Sequence, residues 1–68
     1  MLATKINYQG HTACHIVEGF MREVEAEIIR IMEQFPHREY RTAVWGMQRR
    51  PDGTLIAEIR RAVCSAPI

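Results

Sequence analysis

The sequence predicts an α+β fold: a single small β-α-β-β domain, one long amphipathic helix packed on a three-stranded, antiparallel-rich sheet that oligomerisation completes. Three observations lead there. Apolar residues recur at three- and four-residue spacings between His15 and Phe35, the mark of a helix with one buried face. Residues Leu2 to Tyr8 alternate between two sides, as a half-buried strand does. Arg50-Pro51-Asp52-Gly53 separates two extended runs; proline presets the turn's φ, and glycine can take the left-handed position that closes a hairpin.

The first strand is read at residues 2–8, with Leu2, Thr4, Ile6 and Tyr8 on one side and Ala3, Lys5 and Asn7 on the other. Gln9 to Thr12 turn the chain, Thr12 serving as N-cap, and the helix is read over 13–35. At about a hundred degrees per residue, Val17, Phe20, Met21, Val24, Ile28, Ile31 and Phe35 share one arc. Glu23, Glu27, Arg30 and Gln34 form a second arc, facing water. Glu18, Arg22, Glu25 and Glu33 form a third, in which Glu18 and Arg22 make an i,i+4 pair. Pro36 ends the helix.

The second strand covers 40–49, the turn 50–53 and the third strand 54–64. Pairing about the turn sets Met47 near Ala57 and Trp45 near Ile59, which makes Trp45 a core residue under the helix. Val44, Gly46 and Gln48 share the other face with Ile56, Glu58 and Arg60. Arg61 then falls on the apolar face, which calls for a bulge or for a strand end near Arg60. The first strand is expected beside one edge of this hairpin.

Sixty-eight residues make one domain, and its 47% hydrophobic content is ample for folding. So small an interior usually needs disulfides, metal or oligomerisation. Two cysteines are too few for a disulfide framework; Cys14 and Cys64 are read as free thiols of a cytoplasmic protein, with one Cys14–Cys64 bridge as the alternative. The opening MLATKINYQG has no apolar leader core, and no apolar run is long enough to span a membrane. The net charge of +1 conceals an asymmetry: five glutamates face two arginines from Glu18 to Glu33, and six arginines face three acids from Arg38 to Arg61. Attraction between elements or subunits explains it most simply.

No catalytic set is visible. The glycines are scattered, so no loop cradles phosphate, and Glu23 with Glu27 reads as a solvated pair. His11, Cys14 and His15 cluster at the expected helix start, where imidazole and thiolate suit zinc. A closed site takes four ligands, and His37 and Cys64 are distant, so no metal centre is assigned. A helix N-terminus would also favour a Cys14 thiolate, but no acid, base or oxyanion donor accompanies it.

Two surfaces carry the functional expectation. Ile29, Met32 and Ala26 gather on an otherwise charged helix face, as a contact for a partner or a second subunit does. Arg49, Arg50, Arg60 and Arg61, with Tyr40 and Trp45 interleaved, make an arginine-rich hairpin suited to nucleic-acid phosphates. The near-neutral charge and single lysine weigh against that use.

The β-α-β-β order at this length resembles that of the dodecins, small flavin-binding proteins that assemble into hollow oligomers. Dodecins carry an aromatic near the start of their second strand, and Tyr40 and Trp45 are the nearest aromatics here. The resemblance implies a flavin- or metal-binding oligomer. The leading expectation is instead a small non-enzymatic interaction or regulatory protein, of the size of bacterial and phage modulators. It acts as a homo-oligomer, a dimer in the simplest case, on another protein and without a cofactor. Nucleic-acid binding stands second, and the flavin- or zinc-binding oligomer third.

Overall fold

A computed structural model, which describes residues 2–36 and 38–63, has the order ββαββ. The elements are β1 (Ala3–Gln9), β2 (Thr12–Gly19), α1 (Met21–Gln34), β3 (Tyr40–Arg49) and β4 (Leu55–Val63). Every strand pair is antiparallel, in the spatial order β1-β2-β4-β3. The expected three-stranded sheet therefore has a fourth strand, and β1 pairs with β2 rather than with the hairpin. The order that suggested a dodecin is not the order of this chain.

The difference originates in Thr12–Gly19, expected as the start of the helix. Ala13, His15, Val17 and Gly19 alternate with Thr12, Cys14, Ile16 and Glu18, and the first set is buried while the second is half-buried. Gly10 and His11 form a two-residue hairpin loop, with Gln9 opposite Thr12 and Gly10 at φ +60°, the place where a II′ turn wants glycine. Thr12 is therefore a strand residue and not a helix cap. The helix begins after Phe20, whose N–H donates to Glu23 Oε1 at 3.2 Å, one half of a capping box.

Within α1 the buried positions are Val24, Glu27 and Ile31, with Ile28 packed beside them. Phe20 and Met21, expected in the core, are exposed, and Glu27, expected in water, is buried. Glu18 cannot pair with Arg22 from β2; it forms an ion pair with Arg50 instead. The helix stops at Phe35 and Pro36, where the Pro36 carbonyl accepts from Glu39 and Tyr40 and so redirects the chain into β3.

The helix lies over the two central strands. Val17, Val24, Ile31, Leu55, Ala57 and Ile59 form the core, with Ile28 and Phe35 against it. Cross-strand partners share a face, so Thr4, Ile6 and Tyr8 of β1 and Thr42, Val44, Met47 and Arg49 of β3 lie on the helix side. A bulge in β3 between Val44 and Gly46 sets Val44 opposite Ile59 and Gly46 opposite Glu58. The extra residue, Trp45, turns to the face away from the helix and is 63% exposed, so it is not the core residue expected. Arg61 stays in register on the helix side and β4 runs on to Val63, so the bulge lies in the opposite strand. Cys64, and with it the Cys14–Cys64 alternative, lies outside the described residues, as does His37.

The β3–β4 hairpin closes at the turn expected. Gly53 N–H donates to Arg50 O at 3.0 Å, Arg50 N–H donates to Thr54 O at 2.8 Å, and Asp52 Oδ1 accepts from both the amide and the hydroxyl of Thr54. Gly53 has φ +90°, where any Cβ is strained. Gly53→Ala is expected to destabilise the fold by about 1–2 kcal/mol, read as a lower urea midpoint at unchanged slope.

Candidate binding surface

A single helix over β2 and β4 leaves the opposite face of the sheet without cover among the described residues. Pairing places Lys5 and Asn7 of β1, Thr12, Cys14, Ile16 and Glu18 of β2, Ile56, Glu58, Arg60 and Ala62 of β4, and Arg41, Ala43 and Gln48 of β3 on this face. At its centre the Cys14 thiol donates to Glu58 Oε2 at 3.1 Å, and Arg60 Nε donates to the same oxygen at 2.7 Å. The Arg60 guanidinium stacks on Trp45, 4.1 Å from the ring centroid, a cation–π contact. Arg60 holds the Glu58 carboxyl below its ordinary range, with help from the thiol. Burial pushes the Cys14 thiol up, and Glu58 adds to the rise. Cys14 is thus a neutral hydrogen-bond donor, with none of the thiolate character that a helix start would have lent it.

Beside this network, over β3 and β4, is a hollow of about 350 Å³ lined by Thr12, Arg41, Thr42, Ala43, Trp45, Arg60, Arg61 and Ala62. Arg41 pairs with Ala62, and Ala43 with Arg60, so arginines and alanines alternate in a checkerboard. The alanines keep the floor low while Arg41, Arg60 and Trp45 form the walls.

The helix side carries a different polar cluster. His15 is buried and its Nε2 accepts from Arg61 Nε at 3.1 Å. The Arg61 guanidinium lies 3.8 Å from the Phe35 ring centroid, and Phe35 meets Tyr40 edge-on at 5.0 Å. Glu27 accepts from Arg30 Nε at 2.9 Å, and Thr42 Oγ1 donates to Phe35 O at 3.2 Å. Among the described residues no buried side-chain nitrogen or oxygen lacks a partner, as a stable interior requires. Burial lowers the His15 pKa, and the Arg61 charge lowers it further.

A histidine with a folded pKa below its unfolded value stabilises fully above the unfolded value, and that stability is lost as pH falls through the folded one. The urea midpoint is therefore expected to fall as pH drops from about 7.5 to about 5.5, above the range where carboxylates titrate. His15→Gln should flatten that dependence; an unchanged slope in the variant would remove His15 as its source.

The site residues expected from sequence are distributed as follows. His11 sits in the first hairpin loop, while Cys14 and His15 lie on opposite faces of β2, so the three do not converge. Among the described residues no group of three or more His, Cys, Asp and Glu side chains is placed to hold a metal. The four hairpin arginines are also separated. Arg49 shares the face of Leu55, Arg50 is paired with Glu18, Arg60 is on the uncovered face, and Arg61 is on the helix side. Ile29 is 58% exposed on the outer side of α1, with Ala26 exposed and Met32 half-buried. Arg41 and the β1 side chains were not singled out in the sequence, because the first depends on the bulge register and the second on β1 being outermost.

Edge strand β1 completes the candidate surface. All seven of its residues are exposed, including Ile6 at 47% and Tyr8 at 68%. Between β1 and α1 runs a groove of about 230 Å³ lined by Thr4, Ile6, His15, Val17, Glu27, Arg30, Ile31, Gln34 and Phe35. The other edge, β3, is interrupted by the bulge and carries Arg41 and Arg49. Bulges and charges are the usual protection of an edge; β1 has neither proline nor bulge, and Lys5 is its one charge.

Comparisons with protein-family models, with curated proteins and with solved structures give no match for this chain. No helix among the described residues is long and apolar enough to cross a membrane.

Proposed function

We propose that the protein is a small non-enzymatic interaction protein that works as a homodimer joined along β1. The observation that carries this reading is the unprotected edge, with uncharged Thr4, Ile6 and Tyr8 on the helix side beyond the reach of α1. An antiparallel pairing of two β1 strands about Ile6 sets Lys5 opposite Asn7 and Thr4 opposite Tyr8, so no like charges meet. The second copy adds its Ile6 and Tyr8 to the groove beside α1, and two sheets become one of eight strands. A twofold axis makes such an edge self-complementary, and a 68-residue domain gains from it the burial it lacks alone.

This reading moves the self-association contact from Ile29, Met32 and Ala26 to β1. Native mass spectrometry of the wild type and of an Ile6→Lys/Tyr8→Lys variant tests it. A wild-type dimer and a folded monomeric variant support the proposal, and a wild-type monomer at about 100 µM, a hundredfold above a micromolar dissociation constant, overturns it.

A second reading, nucleic-acid binding, is favoured by one observation: the arginine-walled hollow beside Trp45 on the uncovered face. Of the four arginines expected from sequence it keeps Arg60, and it adds Arg41 in place of the hairpin-tip Arg49 and Arg50.

A further inference from the structure

Among the described residues the uncovered face has two carboxylates, and each is already ion-paired, Glu58 with Arg60 and Glu18 with Arg50. Lys5 and Arg41 form no ion pair among the described residues, so the face keeps a positive surplus. Among the described residues no carboxylate lines the hollow over β3 and β4. Glu58 engages Arg60 at Nε, which leaves its terminal nitrogens for other acceptors. Trp45 lies against the Arg60 guanidinium, 4.1 Å from the ring centroid, and the Arg60 side chain is 40% exposed, which leaves cationic surface for a second ring. Ala43 and Ala62 do not obstruct a ring laid beside it.

A guanidinium plane stacks on nucleobases, and a second arginine at the edge of the same hollow suits a phosphate. Arg41 and Arg60 stand on neighbouring strands as diagonal neighbours, Arg41 opposite Ala62 and Arg60 opposite Ala43, with side chains that leave the sheet about 7–8 Å apart. Two flexible arginine stems on that spacing can reach a base and its own phosphate, whereas a bare oxyanion has no use for the stack. We propose that this hollow binds single-stranded nucleic acid, taking a base on the Arg60–Trp45 stack and a phosphate at Arg41. The proposal rests on reading the chain as a binding module and not an enzyme, and it is independent of pairing through β1.

Trp45 is the single tryptophan, so its emission reports the site directly. A single-stranded oligouridylate is titrated into the 68-residue protein, with linear polyphosphate and polyglutamate as separate probes. The expected result is quenching of Trp45 by the oligonucleotide in the micromolar range, weakening steeply as salt rises. Arg41→Gln and Arg60→Gln are each expected to lose about tenfold in affinity or more, the range of one phosphate or one stacked base. Arg60→Lys retains the charge and should still lose the base-dependent part. Arg49→Gln, with its side chain on the opposite face, should bind as the wild type does.

Equal quenching by polyphosphate would reduce the site to an anion site and overturn the proposal. Binding of polyglutamate in place of the oligonucleotide would overturn it in favour of an acidic protein partner. Loss confined to Arg49→Gln, or no quenching at about 100 µM oligonucleotide, would overturn it outright. Far-UV circular dichroism of each variant separates lost binding from lost folding. Native mass spectrometry on the same samples reports the dimer separately, so failure of one proposal is distinguishable from failure of the other.

Discussion

Ile59→Ala is expected to lower the unfolding free energy by about 2–5 kcal/mol, the usual range for deleting a fully buried isoleucine side chain. Ile59 has no exposed surface and sits in β4, one of the two strands paired on both sides, beneath α1. It lies opposite His15 of β2 and Val44 of β3, so the cavity opens where three strands and the helix meet. Collapse into that space would require the two central strands to shift together, which their pairing resists. A chain of this length carries about 3–10 kcal/mol in all at typical values per residue. The variant is thus expected to melt at least about 10 °C lower or to be unfolded at room temperature. Thermal denaturation followed by circular dichroism checks it, and a shift below about 4 °C, the equivalent of 1 kcal/mol, would mean that Ile59 is not central to the core. Ile29→Ala, on the outer side of α1, is the control and should change stability little.

The Ile6→Lys/Tyr8→Lys variant is expected to convert the homodimer to a monomer without loss of secondary structure. Both residues are exposed in the single chain, so lysine is tolerated there. In the paired state the lysines introduced at position 6 would lie directly opposite each other, and those introduced at position 8 would lie diagonal to them, beside the groove between β1 and α1. Like charges opposite one another destabilise a strand pair, and natural edges carry lysine for that reason. A dimer's melting midpoint rises with protein concentration, and a monomer's does not. Wild type and variant should therefore differ in that dependence as well as in native mass. Retention of the dimer by this variant, with its loss in Ile29→Lys, would return the interface to Ile29, Met32 and Ala26.

Much of the helix and hairpin was legible from residues close together in the chain. Val24, Ile28 and Ile31 repeat with helical spacing, and Pro36 marks the stop. Pro51, Asp52 and Gly53 act through local φ preferences and side-chain bonds that need no distant partner. The candidate sites were less legible. Arg60 and Trp45 could be named, yet their stacking depends on one extra residue in β3, and the same bulge brings Arg41 to the face they share. The zinc candidates depended on a helix that does not begin until Met21.

By itself the sequence determined the α+β class, the Val24, Ile28 and Ile31 part of the helix stripe, the end of the helix and the turn that closes β3 on β4, because each rests on short-range preferences. The tertiary structure alone decided the state of Thr12–Gly19. Val17, Phe20, Met21 and Val24 satisfy a helical period, while Ala13, His15, Val17 and Gly19 satisfy a strand period. Pairing of β2 with β1 on one side and β4 on the other selects the second, since only then are its backbone groups bonded on both edges and Val17 buried against α1. The same choice makes β1 an edge and buries Glu27, ion-paired with the exposed Arg30, on the side of His15. These outcomes are set by contacts between residues far apart in the chain, which no local pattern encodes.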